Sequence, residues 1–65
     1  MPTHPATSAL LKYFTYAHLP ERLQAVSKPF ADLALDMARR LEGPEATVCL
    51  RKLLEAKDCA VRAAL

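Results

Sequence analysis

The spacing of apolar residues predicts a long amphipathic helix that runs from Pro20 towards Glu42. Apolar side chains recur there every three or four positions: Leu23, Val26, Phe30, Leu33, Met37 and Leu41. The opposite side carries charged residues at spacings of four: Lys28, Asp32, Asp36 and Arg40. Such a period is typical of a helix with one buried face. Because Pro29 removes a backbone hydrogen bond and crowds the preceding turn, we expect a kink or restart that turns Ser27 and Lys28 outward.

A second long helix is predicted from Pro44 towards Leu65. Its polar side chains form one stripe with opposite charges four residues apart: Arg51, Glu55, Asp58 and Arg62. Nearly every other position is apolar or small. So wide an apolar arc exceeds what a single partner helix covers. We therefore expect further copies of the chain to cover it.

The boundary between the two helices is marked by Gly43, which is the single glycine of the chain. A glycine after a helix, a proline at the next first position and an acid in the next first turn are typical of a stop followed by a start. No run alternates in the manner of a β-strand, so the sequence predicts an all-α fold built on an antiparallel helical hairpin.

A short helix is expected before the hairpin, capped by Thr7 or Ser8 and holding the aromatic cluster that follows. The predicted organisation is a flexible N-terminal arm over residues 1–6 and one helical hairpin domain over residues 7–65. A domain near 60 residues buries only about 60% of the surface that its unfolded chain exposes. Since 52% of this 65-residue chain is hydrophobic, self-association into a homo-oligomer is expected.

Charge and cysteine content exclude several function classes. The net charge is +2 with both signs interleaved, whereas duplex-binding domains concentrate basic residues on one face. On one helix Cys59 would be rotated by roughly 280° about the axis relative to Cys49, so the two thiols would face different ways. This argues against an intrachain disulfide and favours a reducing, cytosolic setting. We find no secretory signal and no apolar run of the ~18 residues that span a membrane. We expect a soluble protein with no duplex or membrane partner.

Catalysis finds little support in the sequence. The candidate metal ligands lack a spacing such as C-x-x-C: His4, His18, Cys49 and Cys59. Nothing marks a base and an orienting acid for the candidate nucleophiles: Ser8, Thr15 and Ser27. We therefore predict a binding protein with no catalytic residue, no metal and no cofactor.

Three of the four aromatic residues lie within four positions: Tyr13, Phe14 and Tyr16. On one helix Tyr13 and Tyr16 would share a face. They would then either cover the apolar seam or form a platform on which a nucleobase stacks, worth about 1–3 kcal/mol per base. The first interpretation is favoured on general grounds. Phe14 points elsewhere and is expected in the core.

The basic residues also leave alternatives open. Lys28 is either a solvated partner of Asp32 or an anion contact at the expected helix break. His18 fits packing or capping better than ligand contact. Arg62 is most simply the partner of Asp58.

Two segments together resemble a known family. YFTYAHLPERLQAVSKPF at residues 13–30 and LRKLLEAKDCAVRAAL at residues 50–65 are similar to the phage anti-CBASS cyclic-nucleotide sponges, whose helical hairpin domain is shared with a Thoeris anti-defence protein. The resemblance implies a homohexamer in the cytoplasm of the infected bacterial host. It would sequester cyclic dinucleotides such as cGAMP, and in some members cyclic trinucleotides, without cleaving them, so that CBASS effectors stay inactive.

The resemblance also implies a binding site. Tyr13 takes the position of the tyrosine that stacks on a base, and Lys28 that of the lysine that meets phosphate, with Ser27 beside it. Tyr16 and His18 are second-rank candidates. For the trinucleotide site of some members, Arg62 is the one residue that the resemblance carries over. Phe30, a bulky apolar ring near that region, would narrow or remove this second site.

Two rivals remain at this point. A protein-interaction module or inhibitor of a host protein would be a monomer or dimer without nucleotide affinity. A small DNA-binding domain would bind duplex with an affinity that falls steeply with salt.

Overall fold

The computed structural model describes residues 5–65, and within them the protein is all-α. Its elements are α1 (Pro5–Leu11), a 3₁₀ turn (Lys12–Phe14), α2 (Glu21–Arg40) and α3 (Pro44–Ala64). The two long helices pack together with opposite directions, and Arg22 Nη1 near the start of α2 donates to the carbonyl of Ala64 at the end of α3 over 2.8 Å. The predicted short helix and helical hairpin are confirmed.

The hairpin turns at Gly43, as the sequence predicts. This residue has φ 92° and ψ 178°, a backbone conformation that is essentially restricted to glycine. Pro44 follows as the first residue of α3. The chain therefore reverses direction over residues 41–43, and the backbone at Gly43 requires a residue without a side chain.

The N-terminal helix differs from its prediction at both ends. It begins at Pro5, so residues 5 and 6 are helical and do not belong to an arm, and Thr7 is buried within the helix instead of capping it. Residues 1–4 of the predicted arm lie outside the described residues. After Leu11 the chain tightens into the 3₁₀ turn and then becomes extended at Thr15 (φ −60°, ψ 133°).

Helix α2 runs through Pro29 without ending. The predicted restart and outward turn of Ser27 are wrong, because Ser27 is fully buried. A proline removes one hydrogen bond, but the packing of the flanking turns against the rest of the fold holds the helix across it. Lys28, the next residue, is exposed.

The core is built around Phe14, Ala34 and Leu50, and small side chains lie where α2 meets α3. Ala34 and Ser27 are both fully buried. Two members of the predicted apolar stripe, Leu33 and Leu41, are instead 45% and 43% exposed. The buried face is rotated towards the small residues because they allow the facing helix to approach closely.

Charged side chains on α3 also pair differently from the prediction. Asp58 contacts Lys57 at 2.8 Å, and Arg62 Nη2 donates to Cys59 Sγ at 3.4 Å. The expected pair between Asp58 and Arg62 is therefore wrong. Within residues 5–65, none of the helices is both long and apolar enough to cross a membrane.

Candidate functional site

The segment between the 3₁₀ turn and α2 places Tyr16 against the hairpin. The amide of Leu19 donates to the carbonyl of Tyr16 over 3.0 Å, which closes a turn. Gln24 on α2 holds this turn, because its Nε2 donates to the carbonyl of Leu19 at 2.8 Å and to that of Ala17 at 3.3 Å. A segment without regular structure is thus fixed to the first turns of α2.

An open groove of about 240 Å³ lies between this segment and α2. Its lining is mostly apolar and includes one charged side chain: Leu11, Phe14, Thr15, Tyr16, Ala31, Asp32 and Leu35. A flat apolar ligand with a polar edge matches such a lining, since binding grooves combine apolar walls with a few placed polar groups.

Lys28 lies beside this groove. Its Nζ donates to Asp32 Oδ2 at 2.8 Å, and both side chains are more than half exposed. The hydrogen bond that Lys28 donates to Asp32 raises the pKa of Lys28, and the charges of Asp32 and then of Tyr16 raise it further. Asp32 lines the groove together with Tyr16, so the ion pair places the ammonium at the edge of the groove. The interpretation of Lys28 as a solvated partner of Asp32 is confirmed in this chain, and its position leaves the ammonium accessible to an anion.

The Tyr13 side chain is 62% exposed and belongs to the 3₁₀ turn, whereas Tyr16 follows that turn in non-helical backbone. The prediction that the two tyrosines share a helix face is therefore wrong. Phe14 between them is buried at 3% exposure, as predicted. This alternation directs one ring into the core and leaves Tyr13 in solvent, free to present a face for stacking.

The predicted site residues are only partly brought together within one chain. Lys28 is linked through Asp32 to the groove that Tyr16 lines, but no hydrogen bond or ion pair in residues 5–65 joins Tyr13 to Lys28. Ser27 cannot touch a ligand in this conformation, because its side chain is fully buried. His18 is exposed in the turn before α2, and Arg62 is exposed near the end of α3.

Phe30 bears on the second predicted site. Its ring is half-buried and packs against the core cluster of the hairpin. It is therefore committed in part to packing within one chain. A trinucleotide site beside it would have to be formed with the exposed part of that ring.

Sequence reasoning missed two residues that organise this region. Gln24 fixes the turn that carries Tyr16, and Lys57 on α3 donates its Nζ to the carbonyl of Tyr13 over 3.0 Å. Lys57 contacts a segment 44 positions away, which only the tertiary fold places beside it. Gln24 contacts carbonyls five and seven positions earlier in the chain, a spacing that no helix or capping motif marks.

Among the described residues, no three His, Cys, Asp or Glu side chains are grouped so that they would hold a metal ion. Comparison of the chain with protein-family models, curated proteins and solved structures finds no match in any of the three.

Proposed function

We propose that this protein binds cyclic oligonucleotides and sequesters them without cleavage. The ligands are cyclic dinucleotides such as cGAMP, with cyclic trinucleotides as a second class. Acting in the cytoplasm of an infected bacterium, the protein would withhold these messengers from CBASS effectors. The sequence resemblance supplies this proposal, and one structural observation supports it: the exposed Lys28 pairs with Asp32, which lines an apolar groove together with Tyr16.

The chemistry of a cyclic dinucleotide fits these groups. An ammonium is a natural contact for a phosphodiester, and aromatic faces stack on bases with about 1–3 kcal/mol per base. Lys28 supplies the cation and Tyr13 the exposed ring, while Tyr16 and the groove offer an apolar wall. The proposal assigns no catalytic residue, so that binding alone removes the messenger.

Self-association into a homohexamer is part of the proposal. Several large apolar side chains are exposed on the single chain: Leu33, Leu35, Leu41, Val48 and Leu65. A two-fold interface presents the same residues twice, which matches the near symmetry of a cyclic dinucleotide. In such an assembly Tyr13 of one copy and Lys28 of another would face one ligand.

Calorimetric titration of the purified protein with a panel of cyclic di- and trinucleotides tests this proposal. We expect fewer ligands than protomers bound, and at least tenfold weaker binding in Tyr13→Ala and in Lys28→Met. Lys52→Met is the matched control, because Lys52 is an exposed lysine that approaches Glu55 only to 3.9 Å. Recovery of intact ligand after denaturation separates sequestration from cleavage, and native mass spectrometry reports the number of copies.

The second candidate is a helical-hairpin module that binds or inhibits a host protein. The exposed apolar residues named above favour it equally, because another protein would cover them as well as a second copy. It predicts a monomer or dimer and no heat with any cyclic nucleotide. Duplex DNA titrated over a range of salt provides the remaining comparison, since affinity that falls steeply with salt would indicate a DNA-binding domain.

A further inference from the structure

Lys57 is an unusual lysine, because its side chain is only 12% exposed. Lysines are almost never deeply buried unless they are paired. The Nζ atom of Lys57 donates a hydrogen bond to the carbonyl of Tyr13 at 3.0 Å and forms an ion pair with Asp58 Oδ1 at 2.8 Å. The hydrogen bond spans 44 positions of the chain, so the ammonium joins α3 to the 3₁₀ turn.

The 3₁₀ turn is a weak element that benefits from such a contact. It has three residues, and hydrogen bonds in 3₁₀ helices have poorer geometry than those in α-helices. Its first carbonyl, at Lys12, accepts from Thr15, with the side-chain Oγ1 at 2.8 Å and the amide at 3.4 Å. The next carbonyl, at Tyr13, is reached from α3 by Lys57. The carbonyls of the first two residues of the element therefore have donors.

Tyr13 has little else to hold it. Its ring is 62% exposed, so packing restrains it weakly, and its backbone is fixed on one side by the buried Phe14. The hydrogen bond from Lys57 to the Tyr13 carbonyl is a second restraint on this backbone. Because a charged donor forms a stronger hydrogen bond than a neutral one, this contact is well suited to hold the backbone from which the ring projects.

We propose that Lys57 is a positioning residue that sets the orientation of the Tyr13 ring. The hydrogen bond from its Nζ to the Tyr13 carbonyl fixes the backbone from which the exposed ring projects. It thereby restricts the positions in which the ring can meet a flat ligand. The consequence for ligand binding rests on the proposed function, but the ordering of the ring does not.

Nuclear magnetic resonance with uniformly ¹³C-labelled tyrosine, which reports on both the rings and the carbonyls, tests the ordering directly. The chain has two tyrosines, so Tyr16 serves as an internal reference. In Lys57→Met, which keeps the length of the side chain and removes the donor, we expect increased motion of the Tyr13 ring and a changed shift of its carbonyl. Lys52→Met on the same helix should change neither, and Lys57→Arg, which retains a cationic donor, should restore order.

Binding of a cyclic dinucleotide is then measured by calorimetry in the same variants. We expect affinity about tenfold weaker in Lys57→Met, because a preorganised ring is lost, and recovery in Lys57→Arg. Unchanged Tyr13 motion in Lys57→Met, or an equal change in Lys52→Met, would overturn the proposal. If the wild type binds no cyclic nucleotide, the proposed function fails while the ring measurement still decides the role of Lys57.

A measurement on the unaltered protein covers the case in which Lys57→Met does not fold. Ammonium protons that are shielded from water and hydrogen-bonded exchange slowly, so Lys57, which is 12% exposed and donates to the Tyr13 carbonyl, should give a protected NH₃⁺ signal with a through-space contact to residue 13. An ammonium that exchanges as fast as that of the exposed Lys52 would overturn the proposal.

Discussion

Replacing Ser27 with alanine is expected to raise the free energy of unfolding. The Ser27 side chain is fully buried, and within the described residues its Oγ has no hydrogen-bond partner. An unsatisfied buried hydroxyl costs about 1–3 kcal/mol. Alanine is also the better helix former, by about 0.5 kcal/mol. The small void left by one oxygen offsets about 0.5 kcal/mol on the scale measured for core cavities.

These terms sum to a gain of about 1–3 kcal/mol. For a domain of this size each kcal/mol moves the melting temperature by roughly 4–8 °C. The assay is thermal and urea unfolding followed by circular dichroism, with all variants at one protein concentration because self-association would make Tm depend on it. Ser8→Ala is the matched control, since Ser8 is exposed on α1 and reports helix propensity without burial.

A gain in Ser27→Ala no larger than that in Ser8→Ala would refute the reasoning, since the hydroxyl must then have a partner in solution. Ligand affinity gives a second comparison. The sequence resemblance assigns Ser27 to the binding site, whereas its burial predicts that Ser27→Ala binds a cyclic dinucleotide as the wild type does. A tenfold loss would mean that the buried side chain becomes accessible.

Two further predictions concern the hairpin turn and the Lys28 pair. Gly43→Ala should lower the free energy of unfolding by about 1–3 kcal/mol in urea unfolding. The cost is backbone strain, because no atom would contact the added Cβ. A variant as stable as the wild type would refute this prediction. Asp32→Asn should lower the pKa of Lys28 in an NMR titration, since the Asp32 carboxylate raises it, and should strengthen binding of an anionic ligand by freeing the ammonium. Asp36→Asn, which removes the equivalent 2.8 Å pair with Arg40, should leave the pKa of Lys28 unchanged. A lower Lys28 pKa in Asp36→Asn would show that the effect is not specific to the Asp32 pair.

Much of the fold is predictable because it depends on local signals. One glycine followed by a proline locates the hairpin turn, and the apolar period gives the existence of both long helices. The details that fail depend on neighbours. The predicted stripe buries Leu23 but leaves Leu33 45% exposed. Ala34 and Ser27, which are not part of that stripe, are fully buried. A periodicity that counts large apolar residues does not detect the small ones that pack in the interior.

The candidate site is less predictable for the same reason. Tyr13 and Tyr16 would share a face on a continuous helix, but the helix tightens at Lys12 and ends after Phe14, and no local residue marks that change. The contact between Lys57 and the Tyr13 carbonyl joins residues 44 positions apart. A sequence pattern reports spacing within an element and cannot report which side chain a distant element supplies.

A mixing experiment tests whether Tyr13 and Lys28 of different copies form one binding site. Within one chain, no hydrogen bond or ion pair of the described residues joins them. If one ligand contacts Tyr13 of one copy and Lys28 of another, then a Tyr13→Ala copy beside a Lys28→Ala copy rebuilds one complete half-site from the two intact residues. Variants unfolded and refolded together should therefore bind a cyclic dinucleotide more strongly than either variant alone or than the two mixed after folding. If each chain supplies both residues to its own site, no pairing restores a complete half-site, and refolding together gives no recovery. Absence of recovery, with native mass spectra confirming mixed assemblies, would place both residues in a site within one chain and remove the shared pocket from the proposal.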